Sequence, residues 1–305
     1  MKILSAADVA RAAPYRELVE ALRQGFRDDV TTPVRHHHET SPTTTLLLMP
    51  AWNKEWTGLK VVTVKTDNAP LGLPTVQGTY LLIDKRTGTP LVMMDGTELT
   101  RRRTAAASAL AADYLARPDA SVLTLIGAGA LALHFARAHA AMRPIKTIHV
   151  CNRTPSKAET TAAELRADGF AAHVSEMEKA MRQSDIVCGV TSSREPLIRG
   201  AWIKPGTHID LAGAFKPTMR ETDGDAVAKA SVYVDTYEGA KAEAGDLLQA
   251  EAEGKFSFKS LKGDLAELCQ GKVRGRQNSQ EVTLFKSCGT ALEDLAAAIM
   301  VHLRS

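Results

Sequence analysis

Apolar and polar positions alternate along this chain in two regimes. In the first, Val9, Leu18, Val19, Leu22 and Phe26 recur at helical spacing after Ser5 and Asp8, a capping pair, which predicts a helical start over residues 5–29. Residues 31–45 are polar and carry Pro33 and Pro42, so a loop or ragged strand is expected there. Short apolar runs at 45–49, 58–64, 78–83 and 90–94 then read as strands, with residues 84–88 as a hairpin connection. Four strands in succession predict an antiparallel sheet. A helix over 100–116 follows, with Thr100 as its cap, an Ala-rich body and Arg117-Pro118-Asp119 as its stop.

The second regime alternates strand and helix. Strands are expected at 122–126, 147–150, 171–174, 186–190, 206–212, 232–235 and 282–286, and helices at 130–142, 155–168, 176–182, near 238–253 and at 264–269. A polar stretch at 271–280 reads as a loop, and an amphipathic helix at 290–303 closes the chain. This alternation predicts an α/β fold, a doubly wound parallel sheet of Rossmann type. The last helix is expected to pack on the N-terminal part. The domains are therefore drawn as 1–117 with 289–305, an α+β unit, and 118–288, the parallel sheet.

Between the first two parallel strands, Gly127, Gly129 and Ala132 stand at G-x-G-x-x-A spacing, followed by a helix rich in Ala and Leu. In that context the first glycine permits a tight turn, the second lets backbone approach a pyrophosphate, and the alanine allows helix to pack on strand. The helix N-terminus adds unpaired N–H groups for phosphate. The second strand ends at Asn152-Arg153-Thr154, where an NAD enzyme would carry an acid for the ribose hydroxyls. Arg153 and Thr154 suit a 2′-phosphate instead, which points to NADPH, with NADH a weaker cofactor. A glycine turn that binds no nucleotide is the alternative.

Composition narrows the classes. The formal charge of +3 is small and its cations are spread along the chain, which argues against a nucleic-acid surface or a polybasic membrane patch. No apolar run approaches a membrane span, and the N-terminus lacks the apolar core of a signal peptide, so a cytoplasmic protein is expected. Cys151, Cys188, Cys269 and Cys288 show no C-x-x-C pairing, which argues against zinc and a disulfide framework, and Cys151 and Cys188, each ending an apolar run, read as buried reduced thiols. His36, His37 and His38 are adjacent on an extended segment without accompanying Cys or carboxylate ligands, so no metal site is expected.

The remaining candidate chemistry is cationic: Arg35 on the early loop, Lys60 and Lys65 on or after a strand, and Arg103 at a helix start. Such residues converging on one pocket would hold a carboxylate. The segments around these residues go further. Gly58-Leu59-Lys60-Val61-Val62, Leu73-Pro74-Thr75-Val76-Gln77-Gly78, Asp95-Gly96-Thr97, Arg103-Thr104-Ala105-Ala106, Asn152-Arg153-Thr154, Trp202 to Ile209 and Phe285-Lys286-Ser287 together resemble the ornithine cyclodeaminase/μ-crystallin family, from about Arg35 to the last helix. The resemblance implies a dinucleotide domain and a substrate-binding, dimerising domain, hence a homodimer. It implies that Arg35, Lys60 and Arg103 grip a substrate carboxylate. It places the cofactor against Gly129, Ala130, Leu131, Asn152, Arg153, Thr154, Thr191, Ala212 and Ser287, with Thr75 as a further contact; Gly127 of the glycine turn and Arg103 complete the candidate cofactor set.

Two departures from the family pattern separate this chain from cyclodeaminases. Where those enzymes carry Gly-Gly-Asp it has Gly213-Ala214-Phe215, and Leu46-Leu47-Leu48 precedes Met49-Pro50 where they carry an acid. A free diamine needs carboxylates to accept its protons. An apolar far end, with a cationic grip at the other, suits a cyclic imino acid. The expected function is NADPH-dependent reduction of Δ1-pyrroline-2-carboxylate and Δ1-piperideine-2-carboxylate to L-proline and L-pipecolate. In that mechanism Lys60 or a bound water is the proton donor. The alternatives are a cyclodeaminase or alanine dehydrogenase, a non-catalytic NADPH-dependent binder of μ-crystallin type, and a structural protein without nucleotide affinity.

Overall fold

A computed structural model describes residues 1–305, the side chain of Ala69 excepted. It divides into two compact units, residues 1–104 with 290–305 and residues 105–289.

The first unit contains β1 (Lys2–Leu4), α1 (Ala6–Ala12), α2 (Tyr15–Arg27), β2 (His36–Ser41), β3 (Thr44–Trp52), β4 (Trp56–Lys65), β5 (Val76–Asp84), β6 (Pro90–Asp95), the first turns of α3 (Gly96–Leu115) and the closing helix α11 (Ala291–Arg304). Its sheet runs β1-β6-β5-β4-β3-β2, antiparallel except for β1 beside β6. Alternation assigns the two faces of this sheet. Met49, Lys60, Val62, Tyr80, Leu82 and Met94 are buried, whereas Leu48, Leu59, Val61, Leu81 and Met93 on the other face are only half-buried.

The expected helix over 5–29 is broken into α1 and α2, because Pro14 has no N–H to donate and its ring excludes Ala13 from the helical region (φ −120°, ψ 63°). The capping box is present: Ser5 Oγ accepts the Asp8 N–H and Asp8 accepts the Ser5 N–H. The histidine run forms the exposed edge strand β2, paired with β3. Helix α3 starts at Gly96, earlier than expected, with Asp95 Oδ1 accepting the Glu98 N–H at 2.7 Å. Thr100 is not its cap: its hydroxyl donates back to the Gly96 carbonyl at 2.6 Å within the helix. A Cβ at position 96 would lie 2.7 Å from Gly78 and Thr79 backbone, so only glycine lets the helix leave the sheet there. The division between units falls inside α3 and not at Arg117-Pro118. The helix runs on without a break, its opening residues Arg102 and Arg103 bonding within the first unit and Ala105 to Ala112 lying in the core of the second.

The second unit comprises β7 (Val122–Ile126), α4 (Ala132–Met142), β8 (Thr147–Cys151), α5 (Pro155–Ala167), β9 (Ala171–Val174), α6 (Met177–Gln183), β10 (Ile186–Gly189), β11 (His208–Leu211), α7 (Gly224–Lys229), β12 (Ser231–Val234), α8 (Tyr237–Glu243), α9 (Gly245–Ala252), β13 (Gly263–Asp264), α10 (Leu265–Cys269) and β14 (Thr283–Lys286). The sheet is parallel, in the order β13-β12-β14-β11-β10-β7-β8-β9. Sequence order reverses between β7 and β10, the switch point at which such sheets open a crevice beyond their carboxyl ends. Ala244-Gly245 splits the helical region near 238–253 into α8 and α9, and α7 and β13 are additions to the expected elements. A buried polar network ties helices to sheet: Ser108 Oγ donates to Asp210 Oδ1 at 2.9 Å, and His139 Nε2 lies 2.9 Å from Asp210 Oδ2 and 3.2 Å from Cys188 Sγ.

Candidate functional site

Each unit carries one set of candidate groups. In the parallel unit, β7 stops at Gly127, whose φ of +114° disfavours any side chain and whose Cβ would meet Thr191 and the Val190 carbonyl at 3.0 Å. Gly129 faces open space, and α4 begins behind Ala130 and Leu131 with no side chain capping its N-terminus. The turn is held from the next strand, since Asn152 Oδ1 accepts the Ala128 N–H at 3.3 Å and its amide donates to the Thr154 carbonyl at 3.0 Å. Arg153 and Thr154 are exposed beside it. Open backbone donors at a helix start with an adjacent guanidinium fit the phosphates of a dinucleotide.

Thr191, Ala212 and Ser287 lie just past the carboxyl ends of β10, β11 and β14. The loops after β10 and β11 are organised by a residue that motif spacing did not single out. Buried Glu221 accepts the Thr191 N–H (2.7 Å) and hydroxyl (2.9 Å) and the N–H groups of Gly213 (2.8 Å) and Ala214 (3.1 Å). Burial pushes its pKa up to about 7 against the pull of nearby Lys286, with Asp246 adding to the rise. Asp235 does similar work at β14, accepting the Ser287 hydroxyl at 3.2 Å and the N–H groups of Cys288 and Gly289. Phe215 is 38% exposed, so it is not a core residue.

In the antiparallel unit, Lys60 projects from β4 and Arg103 from α3, both almost wholly buried. The structure brings these two together through carboxylates that the sequence reading did not foresee. Lys60 Nζ is 2.7 Å from Asp294 Oδ2, Arg103 Nε donates to Asp294 Oδ1 at 2.8 Å, and Arg103 Nη1 donates to Glu293 Oε2 at 2.5 Å. Glu293 and Asp294 sit in the first turn of α11, fully buried, where the helix dipole favours negative charge. The cationic end is thus a compensated cluster and not a bare clamp.

Burial lowers the Lys60 pKa to about 8; Asp294 resists that fall, while Arg103 and Arg35 add to it. Burial opposes ionisation of Asp294, yet Arg103 and Lys60 hold its carboxyl below the usual range. Arg35 is half-buried just ahead of β2. Lys65 belongs to an exposed pair with Asp67 at 2.7 Å and is not part of the cluster. Thr75 is exposed on the loop before β5, its carbonyl accepting the Lys65 N–H at 2.8 Å. A spacing cue for Asp294 existed: Glu293 and Asp294 are acids facing inward on an otherwise apolar helix stripe.

A parallel sheet with this switch point, glycine turn and open helix start defines the class: a dinucleotide-binding α/β protein with an appended α+β unit. The chain belongs to the ornithine cyclodeaminase/mu-crystallin family, whose model matches residues 1–305. A Δ1-pyrroline-2-carboxylate reductase of Paracoccus denitrificans is 40% identical over 97% of this chain and 95% of its own length. The structure of a Thermococcus litoralis Δ1-pyrroline-2-carboxylate reductase in complex with NADH and L-proline superposes with a TM-score of 0.95 at 34% identity, covering 100% of this chain and 97% of that one. An archaeal alanine dehydrogenase dimer with bound NAD gives 0.94 at 31% identity, over 100% and 95% of the two chains. No helix is long and apolar enough to cross a membrane among the described residues.

Proposed function

We propose that the protein is a nicotinamide-dependent reductase of small cyclic imino acids, with NADPH preferred to NADH. Its substrates would be Δ1-pyrroline-2-carboxylate and Δ1-piperideine-2-carboxylate, and its products L-proline and L-pipecolate. The observation that carries the reading is the Lys60–Asp294–Arg103–Glu293 cluster. It offers a lysine that gives up a proton near neutral pH beside a guanidinium fixed in plane. The names of the Paracoccus and Thermococcus relatives, and the proline in the latter's complex, support the same substrate class.

A bound reduced nicotinamide would supply the hydride for C2 of the ring. The residues of this chain do the rest. Arg103 uses Nε and Nη1 on its two carboxylates, which leaves Nη2 for a ligand carboxylate, with Arg35 as the second cation. Lys60, with a pKa near 8, is matched to protonating the imine nitrogen at neutral pH. Gly127, Gly129, Ala130 and Leu131 would hold the pyrophosphate, with Thr75 and Arg103 as additional cofactor contacts. Asn152, Arg153 and Thr154 would take the adenosine ribose and its 2′-phosphate, and Thr191, Ala212 and Ser287 would border the nicotinamide half. Exposed Phe215 stands where a cyclodeaminase would need an acid.

The half-buried apolar sheet face of the first unit, Leu48, Leu59, Val61, Leu81 and Met93, supports a homodimer closed over it. The four cysteines, all buried, suit the cytoplasm. The test is a panel of both cyclic imino acids, ornithine, and pyruvate with ammonia, each followed through nicotinamide absorbance. Turnover of the cyclic imines alone is expected. Turnover of ornithine or of pyruvate with ammonia at a higher kcat/KM would replace this reading.

A further inference from the structure

We infer that Asp294 is a positioning residue of this site: one carboxylate both fixes Lys60 as the proton donor and holds the plane of the Arg103 guanidinium. The inference deepens the imine-reductase reading and rests on it for its chemistry. Three observations support it. Asp294 reaches both cations, with Oδ2 2.7 Å from Lys60 Nζ and Oδ1 2.8 Å from Arg103 Nε, and Glu293 adds a contact to Arg103 through Nη1. Both acids are fully buried, so water does little to screen these contacts. They stand in the first turn of α11 behind the Thr290 cap, on a helix packed against α2, β3 and β4, which leaves the carboxylates little freedom to move.

The groups around Lys60 come from every neighbouring element. Asp294 is on α11, Arg103 on α3 and Arg35 ahead of β2, and Lys60 pairs in register with Tyr80 on β5 and Met49 on β3. Asp294 thus puts a carboxylate in contact with the ammonium, and the two guanidinium groups both disfavour its charge. Without Asp294, a smaller share of Lys60 would be the ammonium at neutral pH, and its proton would be lost at lower pH. A bound reduced nicotinamide would supply the hydride, with its electron pair, for the new C2–H bond and would itself be left oxidised. The π pair of C=N would form N–H with the proton released from Lys60 Nζ, and the neutral Lys60 amine would regain a proton from water.

Three variants of the full chain test this: Asp294→Asn, Asp294→Glu and Glu293→Gln, compared with wild type by pH profiles of kcat and KM and by NMR titration of the Lys60 side chain. Nicotinamide binding serves as the check on folding. An opposite charge in contact shifts a pKa by about 1–3 units. Asp294→Asn should therefore move the basic limb of kcat and the Lys60 midpoint down by about one unit or more. Glu293→Gln should raise KM while leaving both where they are. Asp294→Glu keeps the charge and should keep the Lys60 midpoint near wild type with a lower kcat; it also decides the matter if Asp294→Asn does not fold. An unchanged Lys60 midpoint in Asp294→Asn, or a midpoint in Asp294→Glu that falls by a full unit, overturns the inference. If the wild type reduces no cyclic imine but the Lys60 midpoint still falls in Asp294→Asn, the functional reading fails while the coupling stands.

Discussion

The two units hold their candidate groups in opposite ways. The glycine turn of the parallel unit offers backbone donors and a helix start, with the candidate cation Arg153 exposed to water. The antiparallel unit instead buries two cations against two acids, in contacts between 2.5 and 2.8 Å. Backbone donors carry no desolvated charge, so that loop tolerates change at its rim. A buried ion pair is stable only while both partners are present, and removing one strands the other in a dry place. The difference teaches where this protein is fragile: at Lys60, Arg103, Glu293 and Asp294, and much less at Arg153.

Substitutions break or sharpen that contrast in graded steps. Lys60→Met should lower imine reduction by about 10²–10⁴-fold, the usual worth of a positioned acid, while nicotinamide still quenches intrinsic fluorescence. A fully active variant would remove Lys60 from the chemistry. Arg103→Ala should raise KM for the imino acid and lower unfolding stability by about 3–5 kcal/mol, because Glu293 loses its guanidinium and Asp294 keeps only Lys60; denaturant melts with unchanged midpoint would contradict the compensated cluster. Wild-type activity should fall about tenfold per pH unit above about 8, since Lys60 works as the ammonium and loses its proton through that pKa. Toward acid Asp294 should add no limb to the profile until well below neutrality, because its two cations hold it ionised despite its burial. Arg153→Asp, at the exposed site, should weaken NADPH about 10–100-fold more than NADH, and equal losses would end the 2′-phosphate assignment. Least of all, Glu178→Gln on α6 removes an exposed i,i+4 pair with Arg182 and should cost less than about 0.5 kcal/mol, read by thermal melts.

The parallel unit was legible because its signals are local. The apolar run ending at Gly127, the Ala-rich helix and the strand ending at Asn152 are contiguous, and a few residues of chain decide each of them. Asp84–Gly88 and the Ser5–Asp8 cap were legible for the same reason. The start of α3 was misplaced because Asp95 ends a strand and caps a helix at once, and spacing alone favours the threonine further on. The break between α1 and α2 needed Pro14 to be weighed above an apolar stripe that continues on both sides of it.

The identities of the cations, the glycine turn, the missing ribose acid and the family were settled by the order of residues alone, since each depends on neighbours in the chain. The partners of those cations were not. Lys60, Arg103 and Asp294 come from a strand, a helix start and a helix near the end of the chain, and their contact exists only once α11 packs on β3 and β4. Glu221 likewise gains its four donors only when the ends of β10 and β11 lie side by side. A charge acquires its pKa from burial and from what touches it, and both belong to the folded chain.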